Sequence, residues 1–144
     1  MTLLRHKYTN IITYGTYDLF HIGHLRLLKM VKSLSKNLIV GVSTDEFNTK
    51  KSKKTIIPYD QRKEIIENIK CVDLVIPEIS WEQKVDDIKK YSINAFAMGS
   101  DWKGKFDFLR DYCEVIYLPR TENISSTEIK MQIDALLEEH SIEL

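Results

Sequence analysis

Short apolar runs alternate with amphipathic stretches along the chain. Ile11-Ile12-Thr13 predicts a short buried strand. From Gly23 onward, Leu25, Leu27, Leu28, Met30, Val31 and Leu34 fall mostly at helical spacings, predicting a helix that ends near Ser35-Lys36-Asn37. Leu38-Ile39-Val40-Gly41-Val42 is a continuous apolar run bounded by turn residues and reads as a central parallel strand. Ser43-Thr44-Asp45 then opens a polar, lysine-rich connection that reaches Ile57. Pro58 sits where a helix would start, with Ile65, Ile66 and Ile69 as its inner face. Val72-Asp73-Leu74-Val75-Ile76 predicts a third strand closed by Pro77, and Trp81, Val85 and Ile88 mark a further helix, with Trp81 expected in the core. Asn94-Ala95-Phe96-Ala97-Met98 and Glu114-Val115-Ile116-Tyr117-Leu118 predict a fourth and a fifth strand, and a terminal helix follows over residues 126–139.

This alternation predicts an α/β fold: a doubly wound, Rossmann-like, five-stranded parallel sheet with helices on both faces. No internal repeat, low-complexity segment or linker interrupts it, so residues 1–144 are expected to form one domain. Ligands of such sheets bind beyond the carboxyl ends of the strands, near the point where strand order reverses. The chemically informative segments, residues 15–24, 43–54, 99–102 and 120–127, all follow predicted strands and are expected to converge on one crevice.

Composition narrows the class. Lysine plus arginine equals aspartate plus glutamate at 21 each, so no global field attracts nucleic acid or an anionic membrane. Positive charge is local, in Lys50-Lys51-Ser52-Lys53-Lys54. No stretch approaches the ~20 apolar residues of a membrane span, and the first nine residues carry too little apolar length for a signal peptide. Cys71 and Cys113 give neither a metal-ligand spacing nor a disulfide framework. The expected location is the cytoplasm.

Two of the chain's four histidines, His21 and His24, flank Gly23 at a strand-to-helix turn within Thr13-Tyr14-Gly15-Thr16-Tyr17-Asp18-Leu19-Phe20-His21-Ile22-Gly23-His24. Imidazole donors, a residue without a side chain and the positive end of a helix suit a polyphosphate. Zinc is the competing role, but no third ligand stands nearby in sequence. Lysines of the 50–54 run suit closure over phosphates, with Lys51 or Lys53 the candidates, although such a run is more often a solvated face. Arg120-Thr121-Glu122-Asn123-Ile124-Ser125-Ser126-Thr127 joins a guanidinium to hydroxyls at a helix entry, where capping and anion binding are compatible. Asp101 and Trp102 either touch a sugar or base edge or simply end a strand. Neither a G-x-x-x-x-G-K-[ST] loop nor a G-x-G-x-x-G fingerprint is present. With no obvious general base, the expected nucleophile is already ionised: a phosphate monoester attacking an α-phosphate, which needs only alignment and charge stabilisation.

Taken together, H-x-G-H at residues 21–24 and the late R-T-x-x-I-S-S-T at residues 120–127 resemble the cytidylyltransferase family, over about residues 11–131. Ser43-Thr44-Asp45-Glu46-Phe47-Asn48 and Trp81-Glu82-Gln83-Lys84 favour its glycerol phosphate branch. The resemblance implies transfer of CMP from CTP to sn-glycerol 3-phosphate, giving CDP-glycerol for wall or capsule polymers. It implies that Thr16, Tyr17, His21, Ile22, Gly23 and His24 line the CTP site while Asp18 orders the loop. Lys53 would touch the nucleotide phosphates, Arg62 would assist there, Asp101 would lie near the nucleotide, and Arg120, Thr121, Glu122, Asn123, Ile124, Ser125, Ser126 and Thr127 would cradle the triphosphate. Lys51 and Lys84 would hold the glycerol phosphate. His21, His24, Lys51 and Arg120 would carry the chemistry, Mg2+ would accompany the nucleotide, and the protein would be a homodimer. Two positions depart from the family pattern. Asn123 stands for a glycine, and asparagine tolerates a left-handed backbone; Lys70 stands where arginine is usual, keeping the charge without the bidentate fork. Transfer to another phosphorylated alcohol or sugar, or a nucleotide sensor without turnover, stays open at this level.

Overall fold

The computed structural model describes residues 6–119 and 126–139. Strands β1 (Tyr8–Gly15), β2 (Ser35–Ser43), β3 (Leu74–Glu78), β4 (Ala95–Gly99) and β5 (Glu114–Leu118) form one sheet in the order β3-β2-β1-β4-β5. All pairings are parallel. Helices α1 (Ile22–Ser33), α2 (Asp45–Lys50), α3 (Tyr59–Glu67), α4 (Gln83–Lys90) and α5 (Ser126–Glu139) complete the order, with short 3-10 turns at Ser100–Trp102 and Asp107–Asp111. The chain steps outward from β1 to β3 on one side, then returns to β4 on the other. The reversal places a crevice above the carboxyl ends of β1 and β4. No helix of the described residues is long and apolar enough to cross a membrane.

Period-two alternation in the central strands feeds two cores. Ile11, Leu38, Val40, Val42, Ala95 and Ala97 turn to one face, against Leu28 and Val31 of α1 and Ile66 of α3. Ile12, Tyr14, Ile39, Phe96, Met98 and Val115 turn to the other, against Ile88 of α4 and Leu109. Burying each such side chain stabilises by about 1.5–3 kcal/mol relative to exposure. The doubly wound parallel sheet with helices on both faces is as expected.

Boundaries differ where pairing overrides local pattern. The first helix ends at Ser33, and Ser35, Lys36 and Asn37 belong to β2, because Tyr8 pairs with Ser35 and Asn10 with Asn37; an Asn37 Nδ2 to Asn10 Oδ1 bond of 3.0 Å reinforces the register. The polar connection after β2 contains α2, capped by the Thr44 hydroxyl accepting from the Phe47 amide at 3.2 Å and anchored by buried Phe47. Pro77 lies within β3 instead of ending it; β3 is an edge strand, where a missing N–H is tolerated. On α3, Ile66 is buried but Ile65 is exposed. The inward stripe is Arg62 and Ile66, one turn apart, and a charged residue on it hid the phase from an apolar count. Gly41 makes room for an aromatic ring, since a Cβ there would stand 2.3 Å from the Tyr14 side chain that crosses it from the neighbouring strand.

Candidate active site

A cavity of about 580 Å³ opens above β1 and β4. Its wall is assembled from the loop after β1, Lys53 after α2, Gly99, Asp101 and Trp102 after β4, Pro119 after β5, and the first turns of α5. Four loops thus meet, as the order of the elements implied. Among the candidate residues, Thr16, Tyr17, Asp18, His21, Gly23, His24, Lys53, Asp101, Ser126 and Thr127 lie on this wall. Ile22 points away and is exposed. Arg120, Thr121, Glu122, Asn123, Ile124 and Ser125 fall outside the described residues.

The loop after β1 is wound tightly. Tyr17 and Leu19 adopt left-handed backbone conformations, φ 55° and 50°, which L side chains rarely take. Gly15 permits the fold-back, since a Cβ there would meet the Tyr17 ring at 2.8 Å. Asp18 holds the loop in place. Its carboxylate accepts from the amides of Ile56 at 2.8 Å and Ile57 at 2.9 Å and pairs with Lys130 of α5 at 2.9 Å. Burial would raise the Asp18 pKa, but those two amides and Lys130 outweigh it and hold the carboxyl below its ordinary value. The Ser126 hydroxyl also donates to the Asp18 carbonyl oxygen, tying the start of α5 to the same loop. With its oxygens so engaged, Asp18 organises the site; a carboxylate facing phosphates would repel them.

The two histidines form one unit at the N-terminus of α1. His21 is the N-cap: its Nδ1 accepts from the Gly23 amide at 3.0 Å, while Nδ1 of His24 accepts from the His21 amide at 3.2 Å. The rings stack at 3.8 Å between centroids. Capping and function are therefore the same geometry. Because both Nδ1 atoms accept, the proton of each neutral ring sits on Nε2. Nε2 of His21 is buried without a partner among the described residues, a donor waiting for an acceptor. Burial lowers the His21 pKa; burial, then His21 and Lys53, push His24 from 6.5 down to about 3. Both rings are thus neutral donors near pH 7. Long-range proton–nitrogen NMR at pH 7 should find protonated Nε2 and bare Nδ1 in both rings, and His24 should stay neutral on acidification to about pH 4. Between 6.5 and about 3 the unfolded chain binds a proton that the native His24 refuses. Stability should accordingly fall as pH falls through that window. A His24 resonance that titrates near pH 6.5 would overturn this assignment.

Lys51 and Lys84 form a second cluster behind the cavity. The Lys51 ammonium stands 4.4 Å from the Phe47 ring centroid and 5.4 Å from that of Trp81. Lys84 is buried and pairs with buried Glu78 at 2.6 Å. Its ammonium also faces Tyr14, Trp81 and Phe106 at 4.6, 5.1 and 5.6 Å. Trp81 is 43% exposed and shared by both lysines, which corrects its expected place in the core. Tyr14 and Trp102, the latter 6.1 Å from Trp81, join this cluster to the cavity wall. Burial lowers the Lys51 pKa, with Glu78 opposing; burial and then Lys130 lower that of Lys53. Weakly hydrated ammonium groups of this kind gain most from an arriving anion.

Arg62 corrects another expectation. Its guanidinium is fully buried behind the wall, giving Nε to the Ile57 carbonyl, Nη1 to those of Thr16 and Ser43, and Nη2 to Asp45, at 2.7–2.8 Å. Four of its five N–H hydrogens are engaged within the protein, so Arg62 ties three loops together from behind the wall and is not part of the cavity lining. Glu78, Tyr14 and Lys130 were not singled out from sequence. The available signal for Lys130 was its place one helical turn after Ser126; Glu78 gave none. Among the described residues, no three His, Cys, Asp or Glu side chains gather as metal ligands.

Comparison with known proteins follows the same line. The protein family described as Cytidylyltransferase-like matches residues 12–132. The chain is 59% identical to the glycerol-3-phosphate cytidylyltransferase of Bacillus spizizenii (strain ATCC 23059 / NRRL B-14472 / W23) and 57% identical to that of Bacillus subtilis (strain 168), each over 88% of this chain and 98% of the relative. A lipopolysaccharide core biosynthesis protein from Thermoplasma volcanium GSS1 superposes with a TM-score of 0.69 at 21% identity, covering 79% of this chain and 98% of that one, a likeness of fold. A stacked histidine pair lining a cavity above a reversed parallel sheet, in a chain matched almost end to end, places this protein in the cytidylyltransferase-like family.

Proposed function

We propose that this protein transfers CMP from CTP to sn-glycerol 3-phosphate, giving CDP-glycerol and pyrophosphate. The observation that carries the reading is the histidine pair, whose caps leave both Nε2–H groups as neutral donors in rings that line a cavity of about 580 Å³. Relatives named for this activity, at 57–59% identity, support the choice of nucleotide and acceptor.

The acceptor phosphate is its own nucleophile. One of its oxygens forms a bond to the α-phosphorus of CTP, the bond from that phosphorus to the bridging oxygen breaks, and the electron pair leaves with pyrophosphate. No proton need be removed from the attacking oxygen. His21 and His24 donate to α- and β-phosphate oxygens as charge accumulates in the five-coordinate geometry. Lys53 offsets the repulsion between the anions on the cavity side, and Arg120 is assigned the departing pyrophosphate. Lys51 and Lys84 take the acceptor phosphate; a lysine cluster suits a neutral polyol, since an amine acceptor would meet like charge. Magnesium bound to the nucleotide phosphates supplies further neutralisation of charge. Cytoplasmic location, a homodimer and supply of a wall or capsule polymer complete the reading, carried by the family resemblance.

The test is pyrophosphate release with CTP or ATP crossed against glycerol 3-phosphate, phosphoethanolamine, phosphocholine and sugar phosphates. CTP with glycerol 3-phosphate should give the highest kcat/KM. Turnover led by another pair would reassign the substrate, and no release from any pair would leave a nucleotide-binding protein without catalysis.

A further inference from the structure

We propose that Glu78 is a positioning residue for the acceptor half of the site: its carboxylate fixes the Lys84 ammonium inside the Tyr14, Trp81 and Phe106 rings, so that Lys84 and the neighbouring Lys51 present a preset positive face to the acceptor phosphate. The inference rests on the functional reading above and extends it to a residue that reading does not use.

The placement is unusually constrained. Glu78 ends the edge strand β3, paired opposite Ser43, and its carbonyl accepts from the Thr44 amide at 3.1 Å, where α2 begins. The backbone just beyond is stapled by Gln83, whose side-chain oxygen accepts from the amides of Ile79 and Ser80 and whose amide nitrogen donates to the Pro77 carbonyl at 2.9 Å and to Asp87 at 2.8 Å. Asp87 in turn accepts from the Tyr14 hydroxyl at 2.7 Å, which sets one wall of the ring cage. Both the carboxylate and the rings around Lys84 are therefore held from outside the cage.

An ammonium 1% exposed and facing aromatic rings is costly to bury without a countercharge. Glu78 is that countercharge, at 2.6 Å. The bond occupies one of three ammonium hydrogens, and part-exposed Trp81 is the wall of the cage that stands toward solvent. Glu78 also opposes the effect of burial on Lys51, the other lysine assigned to the acceptor. A pair serving stability alone has a simpler equivalent, because well-packed apolar residues replace most buried ion pairs without loss.

Steady-state kinetics on the full chain test the proposal, varying each substrate against saturating amounts of the other. Glu78→Gln keeps shape and removes charge. It should raise KM for glycerol 3-phosphate about tenfold or more, with KM for CTP changed by less than about twofold, the expected loss of one charge-assisted contact on one substrate only. Glu78→Asp should recover part of that loss. An acceptor KM unchanged in Glu78→Gln, or an equal rise in both KM values, overturns the proposal. Should Glu78→Gln fail to fold, Glu78→Asp decides, since it keeps the charge but withdraws it by one methylene: a folded Glu78→Asp with both KM values unchanged overturns the proposal, and one with a selectively raised acceptor KM upholds it. Absence of CDP-glycerol from the unaltered protein would instead overturn the functional reading, and the same KM comparison is then made with whichever acceptor turns over; a chain inactive with all of them would end both.

Discussion

Replacing His24 with alanine should lower kcat by about 10²–10³ while the protein stays folded. The His24 imidazole does two things, and they separate cleanly in measurement. Its Nδ1 caps the His21 amide at 3.2 Å, and loss of such a cap costs about 1 kcal/mol, seen as a small drop in Tm. Its ring also lines the cavity, where donors matter most as charge shifts toward the β-phosphate during bond exchange. The penalty should therefore fall on kcat more than on KM for CTP. His21→Ala should behave alike, and the double variant should lose far less than the product of the two, since the stacked rings act together. Normal turnover in folded His24→Ala would remove the histidine pair from the chemistry.

Arg62→Leu should give the largest loss of stability among the site's side chains, about 3–5 kcal/mol, by the measure of breaking a buried ion pair. The leucine leaves the carbonyls of Ile57, Thr16 and Ser43 without their donor and releases Asp45. In a domain of this size about 1 kcal/mol corresponds to roughly 2–4 °C, so Tm should drop by about 10 °C. Arg62→Lys should rescue little, because one ammonium cannot reach all of those oxygens from a single point. Activity at low temperature should survive in proportion to the folded fraction. A Tm unchanged by Arg62→Leu alongside a raised KM for CTP would return Arg62 to the phosphates.

Much of this protein was legible from local patterning. Apolar runs of five or fewer residues separated by helical spacings specify alternating strands and helices, and right-handed crossovers then leave few ways to arrange them. H-x-G-H at a strand-to-helix turn carries its own chemistry, because the caps that fix both tautomers are bonds between residues two and three apart. Lys53 was readable for the same reason: it follows a central strand.

Other roles depend on residues distant in the chain. Arg62 looked like another cation near a phosphate site, yet carbonyls 46 and 19 residues away take both hydrogens of its Nη1. Trp81 looked like core, but its neighbours Lys51 and Lys84 come from two helices that meet only once β3 has docked at the sheet edge. Glu78, one acidic residue among many, acquires its meaning from the ammonium and rings that close around it. Periodicity and turn chemistry act over a few residues and so are written in the order of amino acids. Burial, countercharge and the engagement of hydrogen-bond donors belong to the space between elements, and packing alone settles them.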